Sequence, residues 1–272
     1  MPLSLRRLAK YRCKLLIIAL SLFISGCVSD GVTFKNDSLG SANYRTKTIS
    51  GQVFKPEGTG PFPAVVLLPH CGGTGSNLTS LWPNFLTANG YVVMFVDFFG
   101  SRGAADCKSS ASAFAASKIE MANDAYGARD YLASRPDVDG KRIAVMGFSI
   151  GAVAVNNTLV RWRSRDGRAD DFQAVIAAYG HCQEFGFVKP PYPVLEIFGT
   201  NDNRMTVNSC SGLNKRFDNV EVRILEGAYH AFDQPEANGK SDVYGTPMRY
   251  SAQSTSDAQQ ATLAFLAKHL AK

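Results

Sequence analysis

Apolar residues cluster in short runs along the chain. The runs 63–68 and 91–96 carry almost no polar interruption, which marks strands buried on both faces. Further strand-like runs occupy 143–146, 172–179, 193–198 and 220–225. The stretch 44–54 alternates instead, through Ile49, Gln52 and Val53, and reads as an antiparallel edge strand. Helical spacing falls between these runs: over 78–89, closed by Gly90; over 111–134, stopped by Pro136; from Ala152 onward; and over 256–270. Alternation of strand and helix predicts an α/β fold, a mostly parallel sheet with helices on both faces. In such sheets ligands bind outside the carboxyl ends of strands. Residues 98–110 and 233–255 are expected to be the loops that shape a pocket there. No repeat or internal boundary interrupts 46–272, so that span is expected to be one domain. Residues 27–45 are polar, rich in Gly, Ser and Asn, and read as a flexible tether.

Chemistry enters at the end of the 143–146 run. Gly147-Phe148-Ser149-Ile150-Gly151 fits G-x-S-x-G, with a strand before it and small helix-compatible residues after it. Such a turn leaves little room around the serine, and the two glycines remove the Cβ atoms that would collide. Ser149 is therefore the candidate nucleophile. A serine hydroxyl needs a base, and an imidazole needs a carboxylate to fix its tautomer. The elbow predicts the chain order serine, acid, histidine. Asp202, in Gly199-Thr200-Asn201-Asp202, follows the 193–198 strand and is the candidate acid. His230, after the 220–225 strand, is the candidate base. His70 and His181 precede the acid, and His269 lies in the terminal helix.

An acyl-transfer site also needs donors for an oxyanion. The N–H of Ile150 is one. The loop Pro69-His70-Cys71-Gly72-Gly73 should supply the other, with Cys71 N–H first and its neighbours within register error. No Gly-Lys-Ser/Thr follows this glycine-rich loop, which argues against phosphate binding. His70-Cys71 and His181-Cys182 match no usual zinc spacing, so no metal is expected, and the chemistry calls for no cofactor. Phe148 and Tyr229 flank candidate catalytic residues and are read either as pocket lining or as core. Arg102, in a loop after a strand, is read as a solvated turn residue or as a partner for a substrate carboxylate.

The first residues change the charge picture. The chain carries 29 basic and 23 acidic residues, but Arg6, Arg7, Lys10, Arg12 and Lys14 all lie within 1–26, leaving 24 against 23. Without that segment there is no basic footprint for nucleic acid. Residues 1–26 read as a signal peptide: a basic start, then an apolar run over 15–24 too short for a comfortable membrane span. Ile24-Ser25-Gly26-Cys27 resembles the bacterial lipobox, which implies lipid on Cys27 and a membrane-anchored, exported protein. Val28 in place of aspartate favours the outer membrane of a Gram-negative host. Export implies an oxidising compartment, where Cys71, Cys107, Cys182 and Cys210 are disulfide candidates with three possible connectivities.

Taken together, Pro69-His70-Cys71-Gly72-Gly73, Asp97-Phe98-Phe99-Gly100-Ser101-Arg102-Gly103, the Ser149 elbow, Gly199-Thr200-Asn201-Asp202 and Gly227-Ala228-Tyr229-His230-Ala231-Phe232 resemble the dienelactone hydrolase family. The resemblance runs from about Gln52 to the end of the chain. It implies an α/β-hydrolase fold, an acid at Asp202 and a base at His230. The family's founding enzymes carry a cysteine nucleophile where Ser149 stands, which points to a more general esterase acting on a small ester or lactone. The cysteines are similar to those of an exported branch, and that likeness suggests the pairs Cys71–Cys107 and Cys182–Cys210. A peptidase of the prolyl-oligopeptidase type is a rival on the same fold, although such enzymes usually carry an additional N-terminal domain. A binding lipoprotein is the non-enzymatic rival, though it would have no need to keep all three residues.

Overall fold

The computed structural model describes residues 29–37, 47–75, 77–161, 171–183 and 189–271. The expected signal peptide, the lipidation site Cys27 and most of the expected tether lie outside the described residues. One eight-stranded sheet organises the chain, in the order β1-β2-β4-β3-β5-β6-β7-β8. The strands are β1 Ser29–Lys35, β2 Thr48–Phe54, β3 Phe62–Leu68, β4 Val92–Asp97, β5 Val138–Phe148, β6 Ala174–Ala178, β7 Val194–Gly199 and β8 Val220–Leu225. Strands β3 to β8 are mutually parallel, while β1–β2 and β2–β4 pair antiparallel.

The helices are α1 Leu78–Ala88, α2 Ala111–Ala133, α3 Ile150–Arg161, α4 Arg204–Cys210, α5 Leu213–Arg216 and α6 Ala252–His269. Along β3 the side chains alternate between two cores. Ala64, Val66 and Leu68 face Met121, Tyr126 and Val155 of α2 and α3, whereas Val65 and Leu67 face Trp82, Leu86 and Phe265 of α1 and α6. Both faces are therefore buried, which is why this strand shows no polar alternation.

Four expectations are corrected. Strand β2, expected as the edge, is interior, paired antiparallel with β1 on one side and β4 on the other. Ser29–Lys35, expected within the tether, is an edge strand whose Phe34 is buried against the α2 side. Its alternation is only two residues long, Val32 and Phe34, and its pairing with β2 supplies the rest. Helix α6 starts a turn before the expected position, because the Ser251 hydroxyl accepts from Ser254 N–H and caps it. The 233–255 stretch is not plain loop. From Gly239 to Met248 the chain folds back on itself, with Gly239 N–H donating to Met248 C=O and Met248 N–H to Lys240 C=O.

Among the described residues, no helix is long and apolar enough to cross a membrane. Disulfides join Cys71 to Cys107 and Cys182 to Cys210, the pairing that the resemblance suggests.

Candidate active site

Strand β5 ends and helix α3 begins within one residue, and Ser149 makes that turn with φ of 53°, in the left-handed region. Side chains rarely adopt this conformation, and strain of this kind clusters at active sites. The turn fits only because its flanking glycines lack Cβ atoms. A Cβ on Gly147 would lie 2.2 Å from Gly151 C=O, and one on Gly151 would lie 2.5 Å from Pro69 C=O. The elbow is thus wedged directly against the end of β3.

The loops after β7 and β8 are stitched together. Asn201 N–H donates to Ala228 C=O at 2.9 Å, and Gly227 N–H donates to Thr200 Oγ1 at 2.8 Å. A Cβ on Gly199 would lie 2.0 Å from Ala228 C=O, so this crossing also demands glycine. It carries Asp202 and His230 to the same point. His230 Nδ1 lies 2.9 Å from Asp202 Oδ1, and His230 Nε2 lies 3.0 Å from Ser149 Oγ. A carboxylate only accepts, so Nδ1 holds the proton and Nε2 is left to accept from the serine hydroxyl. Asn203 N–H donates to the same Asp202 oxygen at 2.6 Å and fixes the carboxylate. Burial alone would lower the His230 pKa. The hydrogen bond and charge of Asp202, with help from Asp242 and Asp233, outweigh it and raise it above the ordinary imidazole value.

These groups open into a cavity of about 430 Å³ at the carboxyl edge of the sheet, lined also by Cys71, Ile150, His70 and Tyr179. Ile150 opens α3, so its N–H has no partner within the helix. Among the described residues nothing accepts from the N–H of Ile150 or of Cys71, and both residues face the cavity that Ser149 Oγ enters. The Cys71–Cys107 disulfide and a hydrogen bond from Cys107 N–H to Cys71 C=O hold that loop to the segment after β4. His70 Nδ1 accepts from Gly72 N–H at 2.7 Å, and burial pushes its pKa down, so the ring is a neutral brace for the turn. Val243 and Tyr244, at the tip of the 239–248 hairpin, form an exposed apolar lip on the cavity.

Other expectations move. Arg102 is neither solvated nor in the cavity. Its guanidinium bonds Glu120 at 2.5 Å and Asp124 at 2.8 Å and lies over the Phe98 ring, with its side chain 7% exposed. It ties the 98–103 turn to α2, and nothing local in the sequence announces those partners. Phe148 is core, packed between Trp82 and Tyr179. Tyr229 lies under the Arg249 guanidinium and outside the cavity. The thiols of the hypothetical His–Cys metal set are consumed in two separate disulfides. Cys182, Glu196 and Cys210 gather at one place, but those sulfurs are bonded to each other, which leaves no ligand set.

Sequence reasoning missed a buried polar group behind His230. Tyr179 adopts φ of 45° just after β6, packs edge-on to the His230 ring at 5.1 Å, and donates its hydroxyl to Asp233. An aspartate directly after the apolar Ala231-Phe232 was the available signal.

The sequence pattern of the dienelactone hydrolase family matches residues 49–270. No curated protein sequence matches the chain. Among solved structures, it is similar to a dienelactone hydrolase-like promiscuous phosphotriesterase from metagenomic libraries, with 19% identity and a TM-score of 0.66 over 90% of this chain and 99% of that one. A Klebsiella pneumoniae protein assigned to the dienelactone hydrolases superposes with a TM-score of 0.62 at 17% identity, over 89% of this chain and 99% of that one. An acylaminoacyl peptidase from Pyrococcus horikoshii gives a TM-score of 0.60 at 16% identity, over 90% of this chain but only 42% of that one. At these identities the likenesses speak for the fold, whereas the sequence pattern spans most of the chain and includes the strand-end loops that carry Asp202 and His230. The chain belongs to the dienelactone hydrolase family.

Proposed function

We propose that the protein is a serine-dependent hydrolase of small carboxylic esters or lactones. The observation that carries this reading is the unbroken hydrogen-bonded line from Ser149 through His230 to Asp202, set at the floor of a cavity. Ser149 Oγ attacks the substrate carbonyl as its proton passes to His230 Nε2. Asp202 stabilises the imidazolium, and the N–H groups of Ile150 and Cys71 receive the oxyanion. The imidazolium returns its proton to the departing alkoxide. Water then enters and attacks the acyl carbonyl as its proton passes to the same ring, and the ring returns that proton to Ser149 Oγ as the bond to the acyl group breaks and the acid is released.

The test is fluorophosphonate labelling followed by a panel of chromogenic esters, lactones and peptide anilides. Labelling at Ser149 with ester or lactone turnover is expected, and Ser149→Ala should abolish both while the fold persists. Turnover undiminished in that variant overturns the assignment; preference for peptide anilides would favour a peptidase. Asp202→Asn should lower turnover by roughly 10⁴.

The two disulfides suit an exported protein. We propose further that Cys27 carries the lipid that holds it to the cell envelope, at the outer membrane in a Gram-negative host. Cys27→Ser should release the protein from the membrane fraction. Continued lipid labelling of that variant contradicts the anchor.

A further inference from the structure

Asp233 is fully buried three residues beyond His230. Its Oδ2 accepts from Trp82 Nε1–H at 2.7 Å and its Oδ1 from the Tyr179 hydroxyl at 2.8 Å. Both donors are neutral, and among the described residues no lysine or arginine pairs with it. A buried carboxylate held only by neutral donors is costly, because charges in a protein interior are normally matched by an opposite charge. Two nearby groups can become positive, His70 and His230, and both feel the Asp233 charge. His70 is not the partner: its Nδ1 accepts from Gly72 N–H, which a protonated ring cannot do. His230 becomes a cation in every turnover of the proposed reaction.

We infer that Asp233 is a further counter-ion of the His230 imidazolium, beside Asp202 and Asp242, and, through the Tyr179 ring, a positioning residue for it. The inference rests on the proposed hydrolytic role of His230. Asp233 neither gains nor loses a proton in the step. The Ser149 hydroxyl proton moves to His230 Nε2 as the serine oxygen bonds to the carbonyl carbon, and Asp233 lowers the energy of the charged ring so formed. Asp202 stands in line with the ring and bears on the same proton. Asp233 acts from beside it, behind an aromatic wall that excludes water: Tyr179 meets His230 at 5.1 Å and Phe232 at 5.3 Å, both edge-on. The other titratable groups facing His230 are Asp242 from the hairpin tip and His70 from the loop after β3.

Asp233→Asn removes the charge and keeps the shape. The amide oxygen can still accept from Trp82, and the amide nitrogen can donate to the Tyr179 oxygen. With an activated ester, the acid limb of kcat/KM against pH should move down by about half a unit or more. Plateau kcat should fall about tenfold, with KM within about twofold, because an imidazolium counter-ion acts on the transition state and not on the bound substrate. A limb midpoint unmoved in a folded variant, whatever happens to kcat, overturns the inference and leaves Asp233 a structural group. If Asp233→Asn does not fold, the variant combining Trp82→Phe, Tyr179→Phe and Asp233→Leu replaces the whole polar cluster by apolar groups. It is read by the same pH profile, with the same shift expected and the same null result decisive. Wild type that neither hydrolyses esters nor labels at Ser149 would instead refute the proposed function itself.

Discussion

Replacing Gly151 by alanine tests the link between the elbow and the oxyanion loop. The new Cβ would sit 2.5 Å from Pro69 C=O and 2.6 Å from Leu68 C=O, about 0.9 Å short of ordinary contact at 3.4 Å. The obstructing atoms are backbone at the end of β3, so no side chain can swing aside. Either α3 or the end of β3 must shift, and overpacking of this kind costs about 1–3 kcal/mol. For a domain of this size that is a fall of roughly 2–12 °C in Tm. The catalytic cost should be larger. Pro69 leads directly into His70 and Cys71, so a shift of this size carries the Cys71 N–H away from the oxyanion position. Losing one such donor costs about 10²–10³ in kcat. Thermal melting together with steady-state kinetics on an activated ester makes the comparison, at a temperature where the variant is fully folded. A kcat within about threefold of wild type, negligible on that scale, refutes the placement of Cys71 in the oxyanion site. Unchanged melting as well would refute the packing argument.

Three other outcomes follow from the same geometry. The raised pKa of His230 fixes two signs: kcat/KM should climb with pH through a midpoint above the ordinary imidazole value, since only the neutral ring takes the serine proton. The stability that protonated His230 contributes should be full below the unfolded value, about 6.5, and be lost as pH rises through the folded midpoint; activity that falls, or a melting temperature that rises, with pH across this range would contradict the assignment. Arg102→Leu leaves Asp124 buried without its cation and should cost about 3–5 kcal/mol in denaturant unfolding, with kcat below the transition nearly unchanged. Replacing Cys182 and Cys210 together by alanine opens a 28-residue separation and should cost about 3–4 kcal/mol on the chain-entropy account; equal unfolding midpoints would contradict it.

What the sequence discloses divides along a physical line. Strands buried on both faces announce themselves through unbroken apolar runs, and the strand–serine–helix junction is local, so β3, β4 and Ser149 can be read directly. Asp202 and His230 are legible because each follows a strand end and the chain order is fixed. Contacts made only in three dimensions are silent. Nothing near Arg102 tells of Glu120 or Asp124, and nothing near Tyr179 tells of Asp233. Edge strand β1 escapes notice for a related reason: with only two apolar positions, its conformation depends on its neighbour β2. The hairpin at 239–248 is built from backbone hydrogen bonds and an aspartate-capped tip, which composition registers only as polarity.

If Cys27 carries the proposed lipid, the direction of strand β1 sets how the protein would face its surroundings. Ser29 pairs with Phe54, and Phe54 with Val93 near the start of β4, so β1 begins at the amino ends of the parallel strands. The cavity lies at their carboxyl ends. Lipid on Cys27 would stand two residues before Ser29, a reach of about 7 Å. The body would then ride close against the bilayer, with its mouth turned to the aqueous side. Substrates would arrive dissolved from the surrounding fluid, and the acyl chains of the supporting leaflet would lie out of reach.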